Sequence, residues 1–198
     1  MRAGLALALA AMAAGCASAR PRASRAPVTV AAGSMVAMLP FEDLSGREHV
    51  AEEFTRVFLA ELVRTGALPV LEMGLVEDAL DRLSIRSSRS MTQQEMCRLA
   101  DSLHVTHLLF GNVLEAGEVR SDDGSVPSVA AALRLVEIAS GRVVWACHHS
   151  RTGEDRETVF QWGRERSRDR LIASLAVEML DDLRKAGARS GARGGTKS

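Results

Sequence analysis

Four histidines and one cysteine are the residues of this chain whose types and spacing could form a metal site. His104 and His107 lie three positions apart where a strand is predicted to begin, and Cys147, His148 and His149 are consecutive on another predicted strand. Zinc needs four converging nitrogen or sulfur ligands, or three in a catalytic site. Adjacent strand residues point to opposite faces, so the consecutive trio cannot share one ion. We therefore expect no metal or other cofactor, and interpret His148 or His149 as an exposed strand residue.

Motifs for hydrolysis or nucleotide binding are also missing from the sequence. Ser150 follows the histidines without the glycine-flanked turn that exposes a nucleophilic serine. A phosphate-binding loop ends in a lysine, whereas the only lysines here are Lys185 and Lys197, near the carboxyl end. We therefore predict that the protein is not an enzyme and has no small-molecule substrate.

Cys16 is the residue whose surroundings most clearly predict a modification. It follows one arginine, an apolar run and the small residues Ala13-Ala14-Gly15. A segment this short is typical of an export signal and cannot span a bilayer permanently. Residues 13–16 resemble a lipobox, in which the peptide is cleaved before the cysteine, and the sulfur and the new amino terminus receive acyl chains such as palmitate. We predict a signal peptide at 1–15 and a lipid on Cys16; the alternative is an ordinary secretory signal with an incidental cysteine.

The charges of the chain are balanced overall but unevenly distributed. All 25 acidic residues lie between Glu42 and Asp182, where only 16 arginines accompany them, so this part has a net charge of −9. Affinity for nucleic acid comes from clustered cations, so we expect no nucleic-acid partner. The basic flanks beside the lipidated cysteine could contact anionic lipid head groups, or simply belong to arginine-rich disordered ends.

After the predicted signal peptide at 1–15, composition divides the chain into three further parts. Residues 16–33 contain Ala, Arg, Ser and Pro without apolar periodicity, which predicts a flexible tether with a coil length of about 20–25 Å. Residues 34–186 are long enough to form one domain with its own core. Residues 187–198 are predicted to be a disordered tail. The domain should therefore stay close to its membrane.

Alternating apolar patterns predict an α/β domain. Residues 35–41 indicate a buried strand, 42–46 a polar turn, 49–65 an amphipathic helix stopped near Gly66, and 69–72 a short strand. A strand, a helix and a strand within this length fit a right-handed βαβ unit with parallel strands.

The second half predicts two more helices, an antiparallel meander and a final helix. A helical stripe covers 75–83, and Thr92 with Glu95 indicates a capping box that opens a helix ending near Leu103. The predicted strands are 105–114, 129–138 and 142–149, with a polar loop at 116–127 and a turn at Gly141. Gly111 inside the first strand indicates a bulge or a close backbone approach. An apolar stripe over 171–183 predicts the last helix, packed across the sheet.

Three segments together resemble one family of proteins. They are VAMLPFEDLSG (36–46), VTHLLFGNV (105–113) and LRLVEIASGRVVW (133–145). In this order they resemble the lipoprotein family that contains the curli secretion channel CsgG and the penicillin-binding-protein activator LpoB; the amino-terminal domain of TolB shares the first and third. The resemblance implies a periplasmic domain with a single mixed sheet, a βαβ unit followed by an antiparallel meander, and helices packed on it. Gly46, Gly111, Gly141 and Trp145 are its predicted structural residues.

Two departures from the family bear on function. The channel members carry two long membrane hairpins, and each hairpin needs two strands of about 9–11 residues with alternating polarity. The mostly polar segments 116–127 and 151–158 do not provide such strands, so we expect no pore from this chain alone. The activator members reach their synthase on a long disordered tether, whereas this tether is short.

Cys97 and Cys147 would be the remaining thiols after lipidation. The oxidising compartment allows a disulfide between them. Cys97 lies among Met96 and Leu99 on a predicted helix, so buried, reduced thiols are the competing interpretation.

The sequence therefore leads to a hypothesis of contact rather than catalysis. We expect an accessory or assembly lipoprotein, anchored at the periplasmic face of the outer membrane, which binds another envelope protein or copies of itself. Ala17 and Ser18, rather than Asp, follow the lipidated cysteine and do not suggest retention at the inner membrane. The alternatives are a subunit of a curli-type export channel, a peptidoglycan-synthase activator and, from a different class, a metallohydrolase containing zinc.

Overall fold

One mixed sheet and four helices form the fold of the residues that the structure describes. A computed structural model describes residues 35–47, 49–121, 124–155 and 165–191, and Cys16, the predicted signal peptide and the predicted tether lie outside these residues. The elements in chain order are β1 (Val36–Met38), β2 (Glu42–Asp43), α1 (Val50–Thr65), α2 (Met73–Arg82), α3 (Gln93–Leu103), β3 (His107–Ser121), β4 (Gly124–Glu137), β5 (Arg142–Thr152) and α4 (Arg168–Gly191).

The sheet has the order β1-β3-β4-β5, and β2 also pairs with β3. β1 and β2 run parallel to β3, whereas β3, β4 and β5 form an antiparallel meander. The predicted fold class, a single mixed sheet with helices packed on it, is confirmed. The narrower likeness to the amino-terminal domain of TolB stays a prediction.

Alternating residues of β1, together with Leu39, which directly follows it, divide the core between the two faces of the sheet. Val36 and Met38 join a large cluster with α1 and α4, and Ala37 and Leu39 join a smaller cluster with α2 and α3. Strand side chains alternate between faces, so one short strand contributes to both layers. Complete burial of an aliphatic or aromatic side chain stabilises the fold by about 1.5–3 kcal/mol, and both clusters contain fully buried residues.

The helix boundaries agree closely with the sequence signals. α1 ends at Gly66, which adopts the left-handed conformation with φ 60° and donates its N–H to the carbonyl of Leu62. α3 begins with the predicted capping box: Thr92 Oγ1 accepts from the Glu95 N–H at 3.2 Å, and Glu95 Oε2 accepts from the Thr92 N–H at 2.7 Å. These local hydrogen bonds require no tertiary contact, which explains why the pattern predicts them well.

The predicted polar loop at 116–127 was wrong. β3 continues to Ser121 and β4 starts at Gly124, with antiparallel pairing that extends to the partners Ser121 and Gly124. Few side chains in this arm are buried, so its composition resembles that of a loop. The backbone ladder of the preceding strands simply continues through it, and Val119 and Val126 form a cross-strand pair.

Three smaller differences concern backbone pairing and length. The predicted strand at 69–72 is reduced to an isolated parallel bridge between Val36 and Val70. Part of the predicted turn at 42–46 forms the two-residue strand β2, which pairs with Asn112 and Val113. α4 continues to Gly191, beyond the predicted domain end at 186. None of the helices in the described ranges is long and apolar enough to cross a membrane.

Gly111 lies where an aromatic ring approaches the backbone of β3. A Cβ atom at this position would overlap the ring of Phe41, which packs against Phe54 and Phe58 with centroid distances of 5.6 and 5.4 Å. Of the two possibilities that the sequence indicated for Gly111, the structure shows the close approach. The bulge lies elsewhere, between Val113 and Glu115.

Replacing Gly111 by alanine should destabilise the protein by about 1–3 kcal/mol, because the added methyl group overpacks a well-filled aromatic cluster. The free energy of unfolding in urea measures this effect. Gly117→Ala is the matched control on the same strand, since its Cβ would meet only an Arg47 guanidinium nitrogen at 3.6 Å. Equal stability of the two variants would contradict the packing argument.

Candidate interaction surface

β5 forms an open edge of the sheet. Its partner in the described sheet is β4, and its other side carries no paired strand there. The strand is 11 residues long and contains neither proline nor lysine, and its two charged residues of the kind that oppose edge pairing, Arg142 and Arg151, lie at or near its ends. Its N–H and C=O groups therefore present a template for another strand.

A polar groove of about 610 Å³ runs between β5 and α4. His149 of β5 lies between two carboxylates of α4, with Nε2 at 2.9 Å from Asp182 and Nδ1 at 3.4 Å from Glu178. Arg151 Nε donates to Glu178 at 2.9 Å. These contacts attach the helix to the edge strand and place both elements on the same side of the molecule.

The charges on α4 beside the groove are ordered along the helix. Glu178, Asp181 and Asp182 come first, and Arg184 and Lys185 follow. Within the helix, Arg184 lies 3.9 Å from Asp181, and Lys185 lies 3.7 Å from Asp182, both as i,i+3 pairs. The side chains of Arg184 and Lys185 are 57% and 66% exposed, so these pairs are weakly held and open to competition from another chain.

The histidines considered as metal ligands are separated in the structure. His104 ends α3 in a left-handed conformation, and His107 is buried with Nδ1 at 2.8 Å from Thr106 Oγ1. Burial lowers the pKa of His107, which favours its neutral form. His148 and His149 both line the groove, where His148 is exposed and His149 is partly buried. Within the residues that the structure describes, no group of three or more His, Cys, Asp or Glu side chains is arranged to hold a metal ion.

The two described cysteines do not form the disulfide considered from the sequence. Cys147 is buried in the cluster with α1 and α4, whereas Cys97 lies on α3, which packs against the opposite face of the sheet. Both are free thiols. Burial, reinforced by the negative charge of Asp182, raises the pKa of Cys147 to about 12, so this thiol is unreactive at neutral pH.

The predicted structural residues occupy turns and the core. Gly46 and Gly141 have φ values of 73° and 65°, a region that favours glycine, and Gly141 lies in the turn between β4 and β5. Trp145 of β5 is completely buried in the large cluster. The same strand therefore contributes both an open backbone edge and a fixed core anchor.

Glu42 holds a loop in a way that the sequence analysis missed. Its Oε1 accepts hydrogen bonds from the Ser87 hydroxyl at 2.9 Å, from the Ser88 N–H at 2.7 Å and from the Arg89 N–H at 3.3 Å. Burial opposes ionisation, but the hydrogen bonds from Ser87 and Ser88 outweigh it and lower the pKa of Glu42. The only signal was the serine-rich segment after α2, which did not reveal its distant partner.

Replacing Glu42 by glutamine should lower the free energy of unfolding at pH 7 by about 1–2 kcal/mol, because neutral acceptors bind backbone donors less strongly than carboxylates. The pKa of Glu42 is lower in the folded state, so its contribution is complete above the unfolded value near 4.5 and is lost as the pH falls through the folded value. In urea denaturation from pH 7 to pH 3, the free energies of unfolding of the wild type and of Glu42→Gln should converge. Glu77→Gln, on the exposed side of α2, should change little; a constant difference across this range would contradict the argument.

Geometry thus defines a mixed-sheet α/β domain with an open edge strand beside a charged helix. Neither a protein-family model nor a curated protein sequence matches the chain.

Solved structures do match the chain, at low sequence identity. A chain of the L103M variant of the PelC dodecamer from Paraburkholderia phytofirmans superposes with a TM-score of 0.56 at 20% identity, over 82% of this chain and 97% of that chain. Lipoprotein GNA1162 from Neisseria meningitidis gives 0.55 at 16% identity, over 77% of this chain and 99% of GNA1162. These likenesses show that the three chains share a fold.

The LpoB C-terminal domain from Salmonella enterica also matches, with a TM-score of 0.48 at 15% identity, over 62% of this chain and 84% of that domain. This value is too low to support an argument by itself. The resemblance to CsgG stays a prediction from the sequence.

Proposed function

We propose that this protein is a non-catalytic lipoprotein of the cell envelope whose folded domain assembles with copies of itself or with another envelope protein. The observation that carries the proposal is the fold shared with PelC, a dodecamer, and with lipoprotein GNA1162, over nearly the whole length of each. The open edge of β5 and the charged groove beside it supply a surface on which such contacts could form.

The proposal places the protein at the periplasmic face of the outer membrane. Its support is the lipobox-like sequence that ends at Cys16 and the absence of Asp at Ala17 and Ser18. The 17 residues from 17 to 33 would reach about 20–25 Å as a coil, so the domain would bind partners close to the bilayer. Confinement of identical domains to this thin layer raises their effective concentration and favours self-assembly.

Crosslinking in intact envelopes, followed by purification in detergent, tests this function. The expected product is a homo-oligomer or a complex with one specific envelope protein, identified by mass spectrometry and light scattering. Consistent recovery of an uncrosslinked monomer would contradict the proposal.

The narrower roles implied by the family resemblance give different outcomes in the same experiment. An activator should be recovered with a peptidoglycan synthase. A subunit of a curli-type export channel should be recovered with chains that supply membrane strands, and the complex should raise the conductance of a planar bilayer. A homo-oligomer alone would favour the assembly role over both.

A further inference from the structure

We propose that the partner at β5 is the β5 strand of a second copy, paired antiparallel about a two-fold axis, with the two α4 helices side by side above the joined sheets. This inference rests on the proposed function, because it specifies the surface through which self-assembly begins.

The two sides of the sheet differ in what they offer to another strand. On the β1 side, Val36 already exchanges backbone hydrogen bonds with the segment before α2: its N–H donates to Pro69 at 2.8 Å, and its carbonyl accepts from Leu71 at 3.0 Å. On the opposite side, β5 presents 11 residues. The best match for this long edge in another copy is therefore the same edge, and two identical edges that meet about a two-fold axis run antiparallel.

The order of charges on α4 suits this symmetry. α4 packs on β4 and β5, so it is the helix nearest the open edge. When two such helices lie antiparallel, the acidic part of each, at Glu178, Asp181 and Asp182, faces the basic part of the other, at Arg184 and Lys185. A two-fold contact is formed by the same surface from both copies, so that surface must complement itself. The acidic and basic parts of α4 meet this requirement.

A single two-fold axis can relate both the two β5 strands and the two α4 helices. The ring of His149 lies 2.9 Å from Asp182, which places the change from acidic to basic residues on α4 beside the middle of β5. The exposed His148 is next to this point. If the axis lay far from it, either the strands or the helices would be out of register, and only one layer could pair.

A lysine in the middle of the edge tests the strand contact. Ser150 of β5 and Val63 of α1 are both exposed, so lysine is tolerated at either position without loss of the core. In the full lipidated chain in detergent, Ser150→Lys should weaken self-association at least tenfold in light scattering, because an axis near His148 places position 150 opposite Ala146 of the other copy and lysine opposes edge pairing. Val63→Lys should associate like the wild type, and circular dichroism should show both variants folded.

Charge exchange on α4 tests the second layer. Asp181→Arg should weaken association, and adding Arg184→Asp should restore it, because the double variant exchanges the two signs without losing complementarity. Replacing His148 by cysteine, in a Cys97→Ser background, should give a disulfide-linked dimer, since residues near the axis bring their Cα atoms within the 4.4–6.8 Å that a disulfide spans.

The outcomes separate this inference from the proposed function. If the wild-type chain forms an oligomer that Ser150→Lys does not weaken, or if the His148→Cys variant gives no disulfide-linked dimer, the β5 contact is overturned and self-assembly still stands. A wild-type chain that is monomeric at every concentration and without a partner in envelopes would overturn the proposed function itself.

Discussion

Replacing Cys16 by serine should move the protein from the membrane fraction to the soluble fraction, with a fall in the membrane-to-soluble ratio of roughly a hundredfold or more. Each buried CH₂ of an acyl chain contributes about 0.8 kcal/mol, so several chains together give a stable anchor. Serine offers no sulfur for attachment, and the variant is exported behind an ordinary cleavable secretory signal in place of residues 1–15, so that its mature chain carries neither acyl chains nor an uncleaved apolar segment. Ultracentrifugation of envelopes with immunoblotting measures the ratio.

The control for this prediction is Cys97→Ser, which removes a thiol from the folded domain and should leave the protein in the membrane fraction. Intact mass spectrometry of the wild-type protein provides a second readout. An unmodified mature amino terminus together with a soluble wild-type protein would contradict the lipid anchor.

Replacing Trp145 by alanine should lower the free energy of unfolding by about 3–5 kcal/mol, because it opens a large cavity in the main cluster. The side chain is completely buried among residues of α1, α4 and the sheet. A loss of this size is comparable to the total stability of many domains, so we expect little folded protein at 37 °C. Thermal unfolding followed by circular dichroism measures it.

Trp145→Phe is the matched substitution that separates cavity formation from loss of a polar group. The indole Nε1 of Trp145 has no hydrogen-bond partner in the structure, so phenylalanine removes a buried donor that was already unsatisfied. We expect this variant to lose less than half as much stability as Trp145→Ala. Equal losses would mean that the indole nitrogen has a role that the structure does not show.

Elements with strong local signals were predicted almost to the residue. The stripe of α1 and its stop at Gly66, and the capping box of Thr92 and Glu95, involve residues within a few positions of one another. Such signals depend on helical periodicity and on backbone groups at helix ends, both of which are properties of a short segment. The antiparallel meander of β3, β4 and β5 also followed from the order of these elements, whereas the parallel partner of β1 is β3 and not the predicted strand at 69–72.

The arm of β3 and β4 beyond residue 115 and the contacts of Glu42 were not predictable in the same way. The arm has few buried side chains, so its pairing depends on continuation of a ladder that starts in the core. Glu42 and Ser88 lie 46 positions apart, and nothing in either local sequence indicates the other. Only the folded chain brings the Glu42 carboxylate to the loop after α2, where it links that loop to β2.

From the sequence alone came the predicted location of this protein, through the residues around Cys16, and the class of its fold, through apolar periodicity. Both are local properties, written within short stretches of chain. The tertiary structure decided which strand is left at the edge, which charges of α4 lie beside it and that His149 sits between carboxylates. These features depend on contacts between distant segments, whose geometry is set by the packing of the whole core.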